Sequence, residues 1–317
     1  MSCCCPPTVK ALFCLWAKSG FSKGSVAGAL TFFPPDPALY KFRRIAKDGT
    51  LLPDLDDNEE EEDDDISYGD DDDHLSYDAD EGEPLEESKR TRTGKRPKPD
   101  GRNTSMEVAN IKEEEELNPA QQLTQRALML RKRAVVRNKH DAEDAEAGVT
   151  YSFIPDYRLA TPPNFSGTVE AVKIGPEKKT KHFIAAVIYR ISPAKVTNST
   201  KTLIYSHGNA TDIGAMNFMQ CVLAKGLKCN VVTYDYAGYG ESGGVPMEHN
   251  TYRDIDMVYN YVVENVVRNK DEKNIVIYGQ SVGSGPSCYI CAKKPDVGGL
   301  ILHSPFMSGM RVLTPSR

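Results

Sequence analysis

From about residue 149 onward, apolar residues fall into short runs that alternate with longer, periodic stretches. Four of the short runs are compact and mostly β-branched or aromatic: 201–206 around Leu203-Ile204-Tyr205, 230–235 around Val231-Val232-Thr233-Tyr234, 275–279, and 299–303 around Leu300-Ile301-Leu302. Each reads as a strand buried on both faces. Between them, 212–227 carries Ile213, Met216, Met219, Val222 and Leu223 at helical spacing, and 250–267 carries Tyr252, Ile255, Val258, Tyr259, Val262 and Val263. A third helix is predicted over 285–294. Ahead of these, 168–174 and 182–191 predict an antiparallel pair joined through Gly175-Pro176. Alternating strands and helices predict an α/β domain, a mainly parallel sheet with helices on both faces. Right-handed crossovers then bring every parallel strand's C-terminal end to one edge, where sites form.

Upstream of residue 149 the pattern dissolves. An acidic block spans 54–87, unbroken over 59–65, and a basic block follows at 89–98. Over most of 47–148 there is too little apolar surface to offset chain entropy, so this reads as a charged, largely disordered insert. The basic block suits a solvated linker, a nuclear signal or contact with anionic lipid. One stretch, 119–147, keeps partial helical periodicity (Leu123, Ala127, Leu128, Leu130, Ala134) and predicts a solvated or partner-binding helix. The expected organisation is a head over 1–46, the insert over 47–148, and a folded domain over 149–317.

The head contains no apolar run approaching the roughly 20 residues that cross a bilayer. Its apolar stretch at 11–17 is short for a signal peptide, is preceded only by Lys10, and has no small-residue cleavage site. Ser2 excludes N-myristoylation. Cys3, Cys4, Cys5 and Cys14 lie among apolar residues and lysines, which suits S-acylation; several chains anchor firmly where one holds only marginally. A metal site fits poorly, because three adjacent cysteines cannot all face one tetrahedral ion and no histidine is near. Cys221, Cys229, Cys288 and Cys291 read as small buried thiols, reduced, in a protein of the cytosolic face. No metal, cofactor or nucleic-acid partner is expected.

The chemistry concentrates at the ends of the predicted strands. Gly279-Gln280-Ser281-Val282-Gly283 is a G-x-S-x-G sequence directly after a strand and before a helix, the context of a nucleophile elbow. Ser281 is the candidate nucleophile. Ser206-His207-Gly208-Asn209 follows an earlier strand, and the Asn209 and Val282 backbone N–H groups are the candidate oxyanion donors. His207 reads as a structural hydrogen-bonding residue, as does Asp235 at the head of the loop Asp235-Tyr236-Ala237-Gly238-Tyr239-Gly240.

Four segments, YSHGNATDIG, YDYAGYGESGG, YGQSVGSGPS and LHSPFMSGMRV, in that order, resemble the α/β-hydrolase domain-containing protein 17 family, as do the Cys-rich N-terminus and ALTFFPPDPALY. The resemblance covers roughly 1–45 and 148–317. It implies an α/β-hydrolase fold and a peripheral serine hydrolase that removes palmitate from S-palmitoylated proteins. It also implies a place on the cytosolic face of plasma and endosomal membranes, held by acylated Cys3, Cys4, Cys5 and Cys14. The long charged insert departs from that family. So does the region after Ser281, which offers only Asp296 and His303 as acid and base. The expectation is a C-terminally truncated hydrolase that lacks its last strands, with Leu300-Ile301-Leu302 left as an open edge. Two alternatives accompany it: a catalytically silent, membrane-tethered binding module, and a general carboxylesterase.

Overall fold

The computed structural model describes residues 32–55 and 119–305, with side chains in the first helix from residue 125 onward. Eight described strands form one sheet: β1 (Tyr40–Ile45), β2 (Thr150–Pro155), β3 (Thr168–Ile174), β4 (Ile184–Arg190), β5 (Thr202–Ser206), β6 (Asn230–Tyr234), β7 (Ile275–Gln280) and β8 (Gly299–His303). Their order across the sheet is β1-β2-β3-β4-β6-β5-β7-β8. β1 to β4 run antiparallel, and β4 meets β6 antiparallel. From β6 to β8 every pairing is parallel. Four described α-helices accompany the sheet: α1 (Pro119–Ala147), α2 (Ile213–Leu227), α3 (Glu248–Asn265) and α4 (Ser284–Lys293).

The continuous apolar runs are explained by two cores. In β5, Ile204 enters one core while Leu203 and Tyr205 enter the other. In β4, Ile184, Ala186 and Ile188 face one side, and Ala185, Val187 and Tyr189 the other. Ile255, Val258, Tyr259 and Val262 of α3 and Ile290 of α4 cover the first face. Ile213, Cys221 and Ala224 of α2 cover the second. Each fully buried aliphatic side chain, such as Ile204, stabilises the domain by about 1.5–3 kcal/mol. α2 begins where predicted, at Asp212, whose carboxylate accepts the Ala215 N–H at 2.8 Å as an N-cap.

The folded unit reaches further upstream than the sequence pattern indicates. Tyr40–Ile45, assigned to the head, is the edge strand β1, paired residue for residue with β2. Neither strand stands out alone, because their partners lie about a hundred residues apart across the charged insert. α1 is helical as its spacing predicts, but it is fastened to its own domain. Ala134 and Val136 are buried, and so are the carboxyl groups of Asp141 and Asp144. Asp144 takes a two-pronged grip from Arg44 of β1 and a hydrogen bond from Tyr151 of β2 at 3.1 Å. Asp141 pairs with Lys173 of β3 at 2.8 Å. A sequence pattern reads these carboxylates as solvated because their partners come from three other elements.

Cys221 and Cys229 are buried thiols as expected, whereas Cys288 is exposed and Cys291 partly so; all four are free. C-x-x-C spacing on a helix puts both thiols near one face, and that face of α4 looks partly outward. On β8, Leu300, Ile301 and Leu302 are 40%, 44% and 38% exposed, an apolar edge of the described sheet. Among the described residues, no helix is long and apolar enough to cross a membrane.

Candidate active site

The parallel register gathers the predicted motifs. Ser206 lies opposite Tyr234 on one side and Gly279 on the other, and Gln280 lies opposite His303. His207, Asp235, Ser281 and Ser304 therefore leave four neighbouring strands at the same sheet edge. Ser281 sits at φ +51°, the left-handed region that an L-residue with a Cβ seldom adopts. This is the strained elbow of the motif, and the strained residue is the serine itself. The glycines have a different task. A Cβ on Gly279 would lie 2.6 Å from the Gly283 carbonyl oxygen and 2.6 Å from Ser287 Oγ. A Cβ on Gly283 would collide with the Ser206 carbonyl and sit 2.8 Å from that of His207. The elbow can fold back on itself and against the end of β5 only without those two carbons.

Ser281 opens a short 3₁₀ turn, Ser281–Gly283, that runs straight into α4. The first amides of such a turn have no intrahelical acceptor and lie at the positive end of the helix dipole. Val282 occupies this position, 8% exposed, while Ser281 is half-buried. Ser284 Oγ closes the turn on the Ser281 carbonyl at 2.6 Å. Among the described residues, no imidazole or carboxylate is hydrogen-bonded to the Ser281 hydroxyl. Asp296 precedes β8 at the opposite end of the sheet, as expected. His303 reaches the correct edge but directs Nδ1 to the Tyr278 hydroxyl at 3.0 Å.

The second motif lies against the first. Gly208 packs on Gln280, with a Cβ there falling 3.7 Å from the Gln280 side chain, so Asn209 follows beside the elbow. His207 is fully buried. Its Nδ1 lies 2.7 Å from the Gly208 carbonyl, and its Nε2 stands 3.0 Å from Asp235 Oδ1 without hydrogen-bond alignment. It is a structural residue, held beneath the surface. The Tyr236 hydroxyl fixes the His207 carbonyl at 2.6 Å. Tyr205 fixes Gln280 Oε1 at 2.7 Å and stacks on Tyr278 at 4.5 Å. Tyr236, Tyr239 and Tyr205 are the residues that motif reading passed over. For Tyr236 and Tyr239 the density of tyrosines in YDYAGYG was the signal: buried hydroxyls on rigid rings require polar partners, and loop carbonyls and amides supply them.

Ser281, Asn209 and Val282 are thus brought together at one sheet edge. Cys3, Cys4, Cys5 and Cys14 lie outside the described residues. No group of His, Cys, Asp and Glu suited to a metal ion occurs among the described residues.

A nucleophile elbow at the end of a central parallel strand, with a His-Gly loop from the neighbouring strand beside it, defines the α/β-hydrolase fold. Residues 197–316 match the family model described as serine aminopeptidase, S33. By sequence the chain is related to the α/β-hydrolase domain-containing 17 proteins. It is 41% identical over 132 residues to Homo sapiens α/β-hydrolase domain-containing protein 17B, covering 42% of this chain and 43% of that protein. To Caenorhabditis elegans α/β-hydrolase domain-containing protein aho-3 it is 46% identical over 118 residues, 37% of this chain and 35% of that one. The matched region therefore spans less than half the length of these relatives. Among solved structures, the Pyrococcus furiosus esterase Pf2001 aligns at 22% identity with a TM-score of 0.37, over 46% of this chain and 55% of its own.

Proposed function

We propose that this chain is a serine hydrolase that cleaves palmitoyl thioesters from S-acylated proteins at the cytosolic face of a membrane. The observation that carries the hydrolase part is Ser281 at φ +51° on the β7–α4 turn, packed against the Gly208-Asn209 loop. In this reading Ser281 Oγ attacks the thioester carbonyl and loses its proton to a general base. The oxyanion is held by the Asn209 and Val282 N–H groups, and the substrate cysteine leaves as a thiolate. Water then releases the fatty acid from the acyl-serine. A thiolate is a better leaving group than an amine, so acylation makes smaller demands on the general acid than peptide cleavage does.

The palmitoyl substrate and the membrane site are supported by the relatives' family and by the Cys3, Cys4, Cys5 and Cys14 cluster. Tethering enzyme and acylated protein to one surface raises their effective concentration without any new contact. A fluorophosphonate probe tests the hydrolase: labelling of the full chain that disappears in Ser281→Ala supports it. No labelling favours the tethered binding module. Release of palmitate from an acylated peptide, set against hydrolysis of a simple acetyl ester, separates the thioesterase from a general carboxylesterase. Replacing the four N-terminal cysteines by serine is expected to move the protein from membranes to the soluble fraction.

A further inference from the structure

The segment at residues 32–34 grips the loop that carries the candidate oxyanion amide. Phe33 N–H donates to Asn209 Oδ1 at 2.9 Å, and the Tyr239 hydroxyl donates to the same oxygen at 2.7 Å. Ala210 N–H is a third donor at 3.0 Å. Three hydrogen bonds on one amide oxygen leave its Cα little freedom to rotate. The Tyr239 and Phe33 donors are in turn fixed. Tyr239 is fully buried, edge-on to Phe32 at 6.5 Å and to Tyr236 at 5.5 Å. Phe33 lies under the Arg126 guanidinium of α1 at 5.4 Å, and Arg126 also donates to the Pro34 carbonyl at 3.2 Å. Burial raises the Tyr239 hydroxyl above its ordinary pKa, so it remains a donor through the physiological range.

We propose that Tyr239 and the strap at residues 32–34 are positioning residues for the oxyanion site: by holding the Asn209 side chain they set the direction of the Asn209 backbone N–H beside Ser281. The chemical consequence rests on the serine-hydrolase reading; the mechanical part does not. The arrangement also joins three parts of the chain that are remote in sequence. The strap comes from the head, Arg126 from the helix α1 within the charged insert, and Asn209 from the hydrolase motif. A pull on the head or on α1 reaches the oxyanion loop through one side chain.

The test uses the full chain, with Tyr239→Phe, Asn209→Ala and the double variant, and Asn209→Asp as the variant that keeps the acceptor. Steady-state hydrolysis of a p-nitrophenyl acyl ester and amide hydrogen exchange of the segments around residues 30–40 and 205–212 are measured together. Tyr239→Phe and Asn209→Ala are each expected to lower kcat by roughly tenfold or more with KM nearly unchanged, because a misaimed amide weakens only the transition state. The double variant is expected to match the worse single one, since both act through one oxygen, and Asn209→Asp to recover most of the rate. Exchange at Phe33 and in the 207–212 loop is expected to rise while β5 is unchanged. Unaltered kcat and exchange in both single variants overturn the proposal, as does a rate loss that tracks a global fall in Tm. Absence of any Ser281-dependent turnover in the parent chain defeats the serine-hydrolase reading alone, and the exchange measurement still decides the positioning claim.

Discussion

Tyr40 donates its hydroxyl to Asp235 Oδ2 at 2.5 Å, joining the edge strand β1 to the loop that leaves β6. The two residues are 195 positions apart and both buried. The same hydroxyl accepts the Glu241 N–H at 3.0 Å, so one phenol organises both ends of the 235–241 loop. Asp235 then faces Ile213 N–H at the start of α2 and the ring of His207. Removing the hydroxyl leaves a buried carboxylate oxygen and a loop amide without this partner. Tyr40→Phe is expected to destabilise the domain by about 1–3 kcal/mol, read from urea unfolding. A midpoint equal to the parent's would show that the phenol is dispensable to the loop.

The elbow glycines allow a sharper contrast. Gly283→Ala forces a carbon into the Ser206 and His207 carbonyls, which belong to a central strand end and cannot swing aside. About 1–3 kcal/mol of destabilisation and loss of fluorophosphonate labelling are expected. Gly226 lies in the last turn of α2, where an added Cβ meets nothing within 4 Å. Gly226→Ala is therefore expected to stabilise by about 0.5–1 kcal/mol and leave labelling intact. Equal responses in the two variants would contradict the close-approach argument.

The Lys173–Asp141 pair predicts a pH signature. Burial, the largest influence, raises the Asp141 carboxyl above its ordinary 3.8 even with Lys173 beside it. Lys173→Met removes the partner and leaves a buried carboxylate, at an expected loss of about 3–5 kcal/mol near neutral pH. A folded-state pKa above the unfolded one means that the folded state holds a proton which the unfolded chain releases. Stability in the variant is therefore expected to recover as pH falls toward 3.8 and to decline as pH rises through the raised pKa. Thermal melts from pH 4 to pH 8 measure this, and a variant whose deficit stays constant with pH would locate the strain elsewhere.

The thiols predict alkaline behaviour. Burial pushes Cys221 and Cys229 up from 9.0 to about 11. Between those values the unfolded chain has lost protons that the folded chain keeps, so folding stability falls as pH rises from 9 to 11. Replacing both residues by alanine is expected to flatten that part of the profile. In the native protein, iodoacetamide should modify the exposed Cys288 well before Cys221 or Cys229, as peptide mass mapping would show. Early modification of Cys229 would mean that the α2–β6 corner opens more readily than its packing implies.

Much of this was legible without coordinates. The strands β5 to β8 and the helices α2 to α4 carry local signals: apolar runs of strand length, helical spacing, an Asp cap and a glycine-flanked serine. Each depends on residues within one turn or one strand of one another. β1 escaped notice although Tyr40 and Phe42 alternate with Lys41 and Arg43, because a six-residue edge strand means little before its partner is known. The ion pairs of α1 escaped for a similar reason. Asp141 and Asp144 resemble surface residues until Lys173, Arg44 and Tyr151 arrive from elsewhere.

By itself, the sequence determined the order of elements, the parallel heart of the sheet and the turn on which Ser281 stands, because backbone propensity and hydrophobic period act over a few residues. Tertiary structure alone decided that Asp141 and Asp144 of α1 meet Lys173 and Arg44, that Tyr40 answers Asp235, and that Phe33 and Tyr239 converge on the oxygen of Asn209. Those relationships are set by sheet register and by the need to pair buried polar groups. Both are properties of the assembled domain that no single segment carries.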